Sequence, residues 1–204
     1  MSEIIGKQIE CGLGLEDSRG VSKSDAEKWF KKVTANIVER SEKVDDESTM
    51  NVLADSLGSR VVKKWIEGDL EGNVHADAIG YILYNIFGTI STSNVSGPVY
   101  KHDFSVDNNS IKHPSLSIFA KDGGVQQYAY QNGMVGSLEI NAVQDDYVKF
   151  VASFMAKDST NNSATPSYDT EYDFVGRDVK VYLENTPGDL SGATPIDAKE
   201  VNLN

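Results

Sequence analysis

Cysteine is all but missing: Cys11 is the only one in 204 residues. No internal disulfide and no thiolate zinc site can form. Basic charge is scarce too, with 19 Lys and Arg against 31 Asp and Glu, a net charge of −12. An acidic surface repels phosphate backbones, which excludes duplex binding by a general basic footprint. Long apolar runs are wanting: even YILYNIF at 81–87 falls well short of the roughly eighteen apolar residues of a membrane-spanning helix. The start, MSEIIGKQIE, has neither a basic stretch nor an apolar core, so no secretion signal is predicted. Hydrophobic residues make up 39%, below the globular average, yet their runs are too regular for a disordered chain. A soluble, acidic protein made in the cytoplasm is expected, long enough for one domain with long arms.

The motifs of catalysis are missing as well. His75, His102 and His113 show no i, i+4 pair and no HExxH spacing, and read as turn or surface residues. Gly12-Leu13-Gly14 opens like a dinucleotide fingerprint, but Asp17 stands where the third glycine belongs. There is no P-loop and no GxSxG nucleophile elbow. Asp45-Asp46-Glu47 and Asp145-Asp146 are carboxylate pairs on turns, where nothing splits their pKa values as acid–base catalysis requires. The first of these also lacks the ligand spacing of an EF-hand loop. Neither enzyme activity, nor a cofactor, nor a metal site is expected.

What is present is mostly strand. Val33, Ala35 and Ile37 alternate, and SRVVKKWIEGDLEG at 59–72 is a second strand candidate, rich in β-branched and aromatic residues at Val61, Val62, Trp65 and Ile66. One helix stands out, at about 76–87, where Ile79, Ile82, Leu83 and Ile86 share a face at i, i+3, i+4 and i+7. Asp77 suits its first turn and Gly88 its C-terminal stop, and such a helix would cover an open sheet. From Pro98 onward, short alternating runs are separated by turn chemistry such as DNNS and KDGG. The strongest hairpin spans Met134–Met155. Its core side is predicted as Met134, Leu138, Ile140, Phe150 and Phe154, with Ser137, Glu139, Asn141, Lys149 and Ser153 on the opposite face. Residues 1–28, 39–58 and 157–176 read as polar arms or long loops. Later strands are placed at RDVKVYLE and at the final AKEVNLN, which stops in mid-alternation, as though its strand completes elsewhere.

In order, GLGLEDSRG, EKWFKKVTANI, EKVDDEST, VVKKWIEGDLEG, HADAIGYILYNIFGT and HPSLSIFAKDGGVQQYAYQNGMVGSLEINA resemble the tail tube proteins, or major tail proteins, of tailed bacteriophages. The resemblance implies an N-terminal arm (1–28) and a tail-tube β-sandwich domain (29–204). It further implies a mainly β subunit, a sandwich or partial barrel with one covering helix and long arms, which closes into a ring-shaped barrel on oligomerisation. Rings, usually of six, would stack into a hollow tube in the virion, assembled in the host cytoplasm. Partners would be further copies of the chain, tape-measure protein, tail terminator and tail-tip or baseplate proteins, with DNA passing through unbound.

On that footing Ser137, Glu139, Asn141, Lys149 and Ser153 are expected to line the lumen, Lys149 pairing across the wall with a carboxylate such as Glu139. At least two of the three arms are expected to order only between subunits. Two alternatives are an inner-tube protein of a contractile injection system and a monomeric sandwich holding carbohydrate on Trp65, Tyr128 and Tyr130.

Overall fold

The computed structural model describes residues 9–45, 58–76, 78–108, 113–123, 126–170, 172–182, 194–196 and 198–203. The chain order is β1 (Ile9–Leu15), β2 (Lys28–Phe30), β3 (Val33–Asp45), β4 (Ser59–Asn73), α1 (Ile79–Phe87), β5 (Gly88–Ser96) and β6 (Val99–Val106). It continues through β7 (Leu116–Asp122), β8 (Gln126–Val143), β9 (Lys149–Ala156), β10 (Asp158–Asn161), a 3-10 turn (Gly176–Asp178), β11 (Val181–Tyr182), β12 (Pro195–Ile196) and β13 (Glu200–Leu203).

One sheet runs β2-β1-β7-β8-β9-β4-β3, with β10 and β13 also paired to β8 and every pairing antiparallel. Strand β8 joins its two halves. Residues up to Gly133 pair with β7, and Met134 onward pairs with β9. Asn132, at φ 55, makes the bend between them. A Cβ on Gly133 would lie 2.9 Å from both Leu116 O and Ile118 Cδ1, so only glycine lets β8 cross β7 there. Glu16 ties the bend down, its carboxylate accepting from the Asn132 N–H (2.7 Å), Ser115 Oγ (2.6 Å) and the Gly20 N–H (2.7 Å). The sequence reading made VQQYAYQ and the following arm separate strands; they are one continuous strand.

The two halves share one core. Cys11, Leu13 and Ile118 from the first meet Ile66, Leu70, Phe150 and Phe154 from the second. Burial pushes the Cys11 thiol up to about 12, which leaves it inert. The inward row of β4 reads Ile66, Gly68, Leu70, Gly72, and the glycines stand opposite Phe154 and Phe150 of β9. Large rings thus cover the gaps that glycine leaves in a strand.

Two arms predicted from polarity are built into the fold. Residues 9–15 form β1, between β2 and β7, with Cys11 and Leu13 fully buried. The 157–176 segment begins as β10 and then lies on the outer side of the first half, where Ala164 joins Trp29, Phe119 and Ala129. Asn162 donates to Ser24 O (3.1 Å), Lys28 pairs with Asp169 (3.2 Å) and the Tyr168 hydroxyl donates to Glu10 (2.6 Å). Polar side chains bonded to one another pin the described parts of these segments to the subunit, while residues 1–8 of the first arm lie outside the described residues. Of the third arm, residues 39–45 extend β3, and 46–57 lie outside the described residues. What projects instead is the exposed outer end of β3 and β4, and the ribbon of β5 and β6.

Helix α1 stops at Gly88, whose φ of 85 is left-handed and whose N–H bonds Tyr84 O. Asp77 lies outside the described residues. Ile82 is fully buried, Ile79 and Ile86 partly so against the same core, and Leu83 is half-buried. The buried face also carries a residue that periodicity of apolar side chains does not reveal. Asn85, 1% exposed, donates through Nδ2 to Pro114 O (2.6 Å) and Gly133 O (3.2 Å), and its Oδ1 accepts from the Val135 N–H (2.8 Å). It caps two backbone groups of β8 and one in the segment that leads into β7. Replacing Asn85 by leucine strands three backbone groups away from water and should cost about 3 kcal/mol or more, measured by urea unfolding.

Candidate functional site

The second half of the sheet, β3, β4, β9 and the end of β8, has one face in the core and one turned away from it. Ser137 pairs with Ser153, Asn141 with Lys149 and Glu139 with Val151, so all five side chains predicted for one face share it. Ser137, Glu139 and Lys149 are exposed, Asn141 and Ser153 half-buried. The sequence reading missed how far this face extends. Pairing of β4 to β9 sets Asp69 beside Ser153 and Glu71 beside Val151, and puts Glu67 beside Met155. Strand β3 adds Asn36 opposite Asp69 and Val38 opposite Glu67. Alternation along IEGDLEG sets the three acids on one side of β4, and pairing to β9, which the sequence does not reveal, joins them to the hairpin's face.

Of the predicted core side of the hairpin, Phe150 and Phe154 are buried and Leu138 and Ile140 pack against the core. Met134 does not follow them. A register shift between Val135 and Ser137 breaks the alternation at Gly136, so Val135 joins Phe154 in the inward row and Met134 pairs with exposed Met155. The Met134 sulfur lies 3.8 Å from Asn85 Nδ2.

Electrostatically the face is acidic. Arg40 is taken up by Glu67, at 2.5 Å, and with Trp65 as a second donor it holds the Glu67 carboxyl below its usual range. Lys149 was expected to meet Glu139 and meets Asp146 instead, at 2.6 Å, three residues back across the turn. The turn geometry decides this, since Asp146 sits on the lysine's own hairpin loop. Glu139 accepts from Asn202 (3.0 Å). Among the described residues Asp69, Glu71 and Glu139 form no ion pair, so the face carries more uncompensated negative than positive charge.

Hydrogen bonds from Lys149 and then from the Tyr147 N–H hold the Asp146 carboxyl below its ordinary value. A depressed carboxyl stabilises the turn above its unfolded pKa and loses that contribution as pH falls through the folded one. Lys149→Ala should therefore raise the Asp146 pKa towards the ordinary carboxylate range, read by carboxyl NMR titration, and any loss of stability should be seen at neutral pH and fade in acid.

Other candidate groups are scattered. Trp65 carries Lys63 4.6 Å over its ring and donates to Glu67, while Tyr128 and Tyr130 contact each other, with centroids 6.1 Å apart. His75 is not a surface residue: it is 1% exposed, with Nδ1 2.9 Å from Asp173 Oδ1. His102 faces Thr92 (2.8 Å) and His113 the Asn85 carbonyl (3.3 Å). No group of three or more metal-ligating side chains occurs among the described residues.

The sheet's edges complete the site. Strand β3 ends it on one side. On the other, β8 is paired by β7 up to Gly133 and by β13 from Ile140 to Val143, which leaves 134–139 with no described strand opposite. A sequence profile of the phage tail tube protein family matches residues 6–198. The chain belongs to that family. No curated protein matches it. A tail tube protein is a structural component of the virion tail that assembles with its own copies and with other tail proteins. An open sheet edge on an isolated subunit is a template for pairing with another chain.

Proposed function

We propose that this tail tube subunit closes, through the edges of its second half-sheet, into rings of six whose inner wall is the acidic face just described. The rings stack head to tail into the tube, filled first by tape-measure protein and then by DNA on ejection, and capped by terminator and tail-tip or baseplate proteins. Assembly takes place in the host cytoplasm. Ser137, Glu139, Asn141, Lys149 and Ser153 line the lumen, joined by Glu67, Asp69 and Glu71.

The observation that carries the reading is an antiparallel sheet open at β3, with β8 unpaired over 134–139 among the described residues and an acidic outer face, in a chain of the tail tube family. Closure into a barrel removes sheet edges altogether. An acidic wall leaves DNA free to slide, because its phosphates, about one charge per 1.7 Å of axis, find no cationic row to hold them. Negative-stain microscopy of the purified protein should show rings or tubes, and cryo-EM should place Glu71 and Glu139 on the inner wall. A protein that stays monomeric at high concentration and in the presence of tail-tip components defeats the proposal, as does a wall built from another face.

A further inference from the structure

Strand directions distinguish the edges available for closing a ring. Along the second half-sheet β3, β4, β9 and β8 alternate in direction, so β3 and β8 run opposite ways, whereas β13 runs the same way as β3. Rotation about a tube axis preserves direction. A neighbour's β3 laid beside β8 is therefore antiparallel, and beside β13 it is parallel. Four strands per copy keep the alternation unbroken around the ring; a fifth breaks it at every joint and substitutes the weaker pairing.

Yet β13 occupies the β8 edge. The Gln144 N–H bonds Lys199 O (3.1 Å), which makes this a hydrogen-bonded rung. By alternation Val201–Ala142 and Leu203–Ile140 are the next two, and Asn202–Asn141 is a close pair without backbone bonds. Leu138 would be the following rung and has no described strand opposite it. Closer to the bend, Asn85 already holds the Val135 N–H. With β13 in place a neighbour finds little more than the Leu138 rung. With β13 gone it finds Leu138, Ile140 and Ala142 in a row, beside the hollow lined by Leu83, Ile86 and Phe87. Strand β13 has four residues: Val201 packs partly buried against the core, Leu203 is 60% exposed, and the side-chain hydrogen bonds are Asn202 to Glu139 (3.0 Å) and Asn141 to Glu200 (3.4 Å).

Taking the ring reading above as given, we infer that β13 is a detachable guard on the β8 edge, held there in the free subunit and displaced by β3 of a second copy when the ring closes. It shields the bare edge until a partner arrives, in the way short edge strands do elsewhere. It also taxes assembly, because only copies with the edge bare can join.

A latch tests this in the full chain. Asn141→Cys with Asn202→Cys places two thiols on a facing pair, within disulfide reach, and Cys11 is buried and out of the way. Oxidised, the double variant should remain monomeric under conditions where the wild type forms rings, and reductant should restore assembly. Val201→Pro, which removes a ladder donor from β13, should lower the ring-forming concentration about tenfold if the guard leaves roughly one copy in ten open. An oxidised latch that assembles as readily as wild type, or a Val201→Pro chain that needs a higher concentration, overturns the inference. Rings absent from wild type and from every variant, whatever the redox state, overturn the ring reading and take this inference with it.

Discussion

Gly72→Val should yield no folded protein. A Cβ at that position would lie 2.3 Å from the Lys32 carbonyl oxygen and 2.9 Å from the Val33 Cα, both backbone atoms that cannot rotate away. Gly72 faces Val33 on one side and Phe150 on the other, so relief on either side pushes β3 or β9 off β4. Overpacking a core usually costs about 1–3 kcal/mol when side chains can give, and more when the backbone must move. For a domain with roughly 5–15 kcal/mol in hand, an insertion of this kind together with the lost Phe150 contact leaves little margin. Gly68→Ala should act in the same direction, its Cβ meeting Asn36 O at 2.5 Å. The counter-example is Gly80, inside α1, where a Cβ meets only Phe104 at 3.7 Å. Gly80→Ala should stabilise the protein by about 0.5–1 kcal/mol through helix propensity. Thermal unfolding of the three variants separates the cases, and a well-folded Gly72→Val protein would show that β3 and β4 pack differently.

Much of this was readable in advance, and the exceptions share a cause. Alternation located the two faces of β9 and most of β8, because a residue's side in a strand depends only on parity. Parity fails where a residue is inserted. Gly136 looks like any other glycine in a polar stretch, and the bulge there exchanged Met134 for Val135. The helix was legible from Ile79, Ile82 and Ile86, but not Asn85, since a buried polar residue is recognised by the backbone groups it satisfies and these come from Pro114, Gly133 and Val135. Polarity misled over residues 1–28 and 157–176. Glycine-rich CGLGL looked like an arm, yet its glycines let β1 run tightly beneath Ala26 and Trp29; a Cβ on Gly12 would meet them at 2.7 and 2.9 Å. Hydrogen-bonding side chains such as Tyr168 and Asn162 likewise belong to ordered segments as readily as to solvated ones. Of the acidic face, the hairpin's half was evident and β4's half was not, because pairing between strands eighty residues apart leaves no local trace.

Reversing the charge of the acidic face should turn a passive channel into one that grips DNA. Asp69, Glu71 and Glu139 form no ion pair among the described residues, and Glu139 accepts a side-chain hydrogen bond from Asn202. Their replacement by lysine therefore leaves the core untouched, and tubes of Asp69→Lys, Glu71→Lys, Glu139→Lys protein should still form. In a ring of six, eighteen carboxylates become eighteen ammonium groups, a count that follows from three substitutions in each of six proposed copies. If roughly six to ten phosphates of a threaded duplex are then neutralised, affinity should fall about 10³–10⁵-fold between 50 and 200 mM salt, a dependence that wild-type tubes lack. Topology of the DNA tells inside from outside. A short linear duplex can enter a lumen and a closed circle cannot, so lysines on the inner wall retain the linear form alone. Equal retention of circular DNA would put this face on the outside of the tube, and no retention of either would mean that it is buried between subunits. The amide variants Asp69→Asn, Glu71→Gln and Glu139→Gln remove the repulsion without adding attraction and should bind neither form. The amides match the carboxylates in size and lack their charge, so capture by the lysine tubes alone assigns retention to added positive charge and not to lost repulsion.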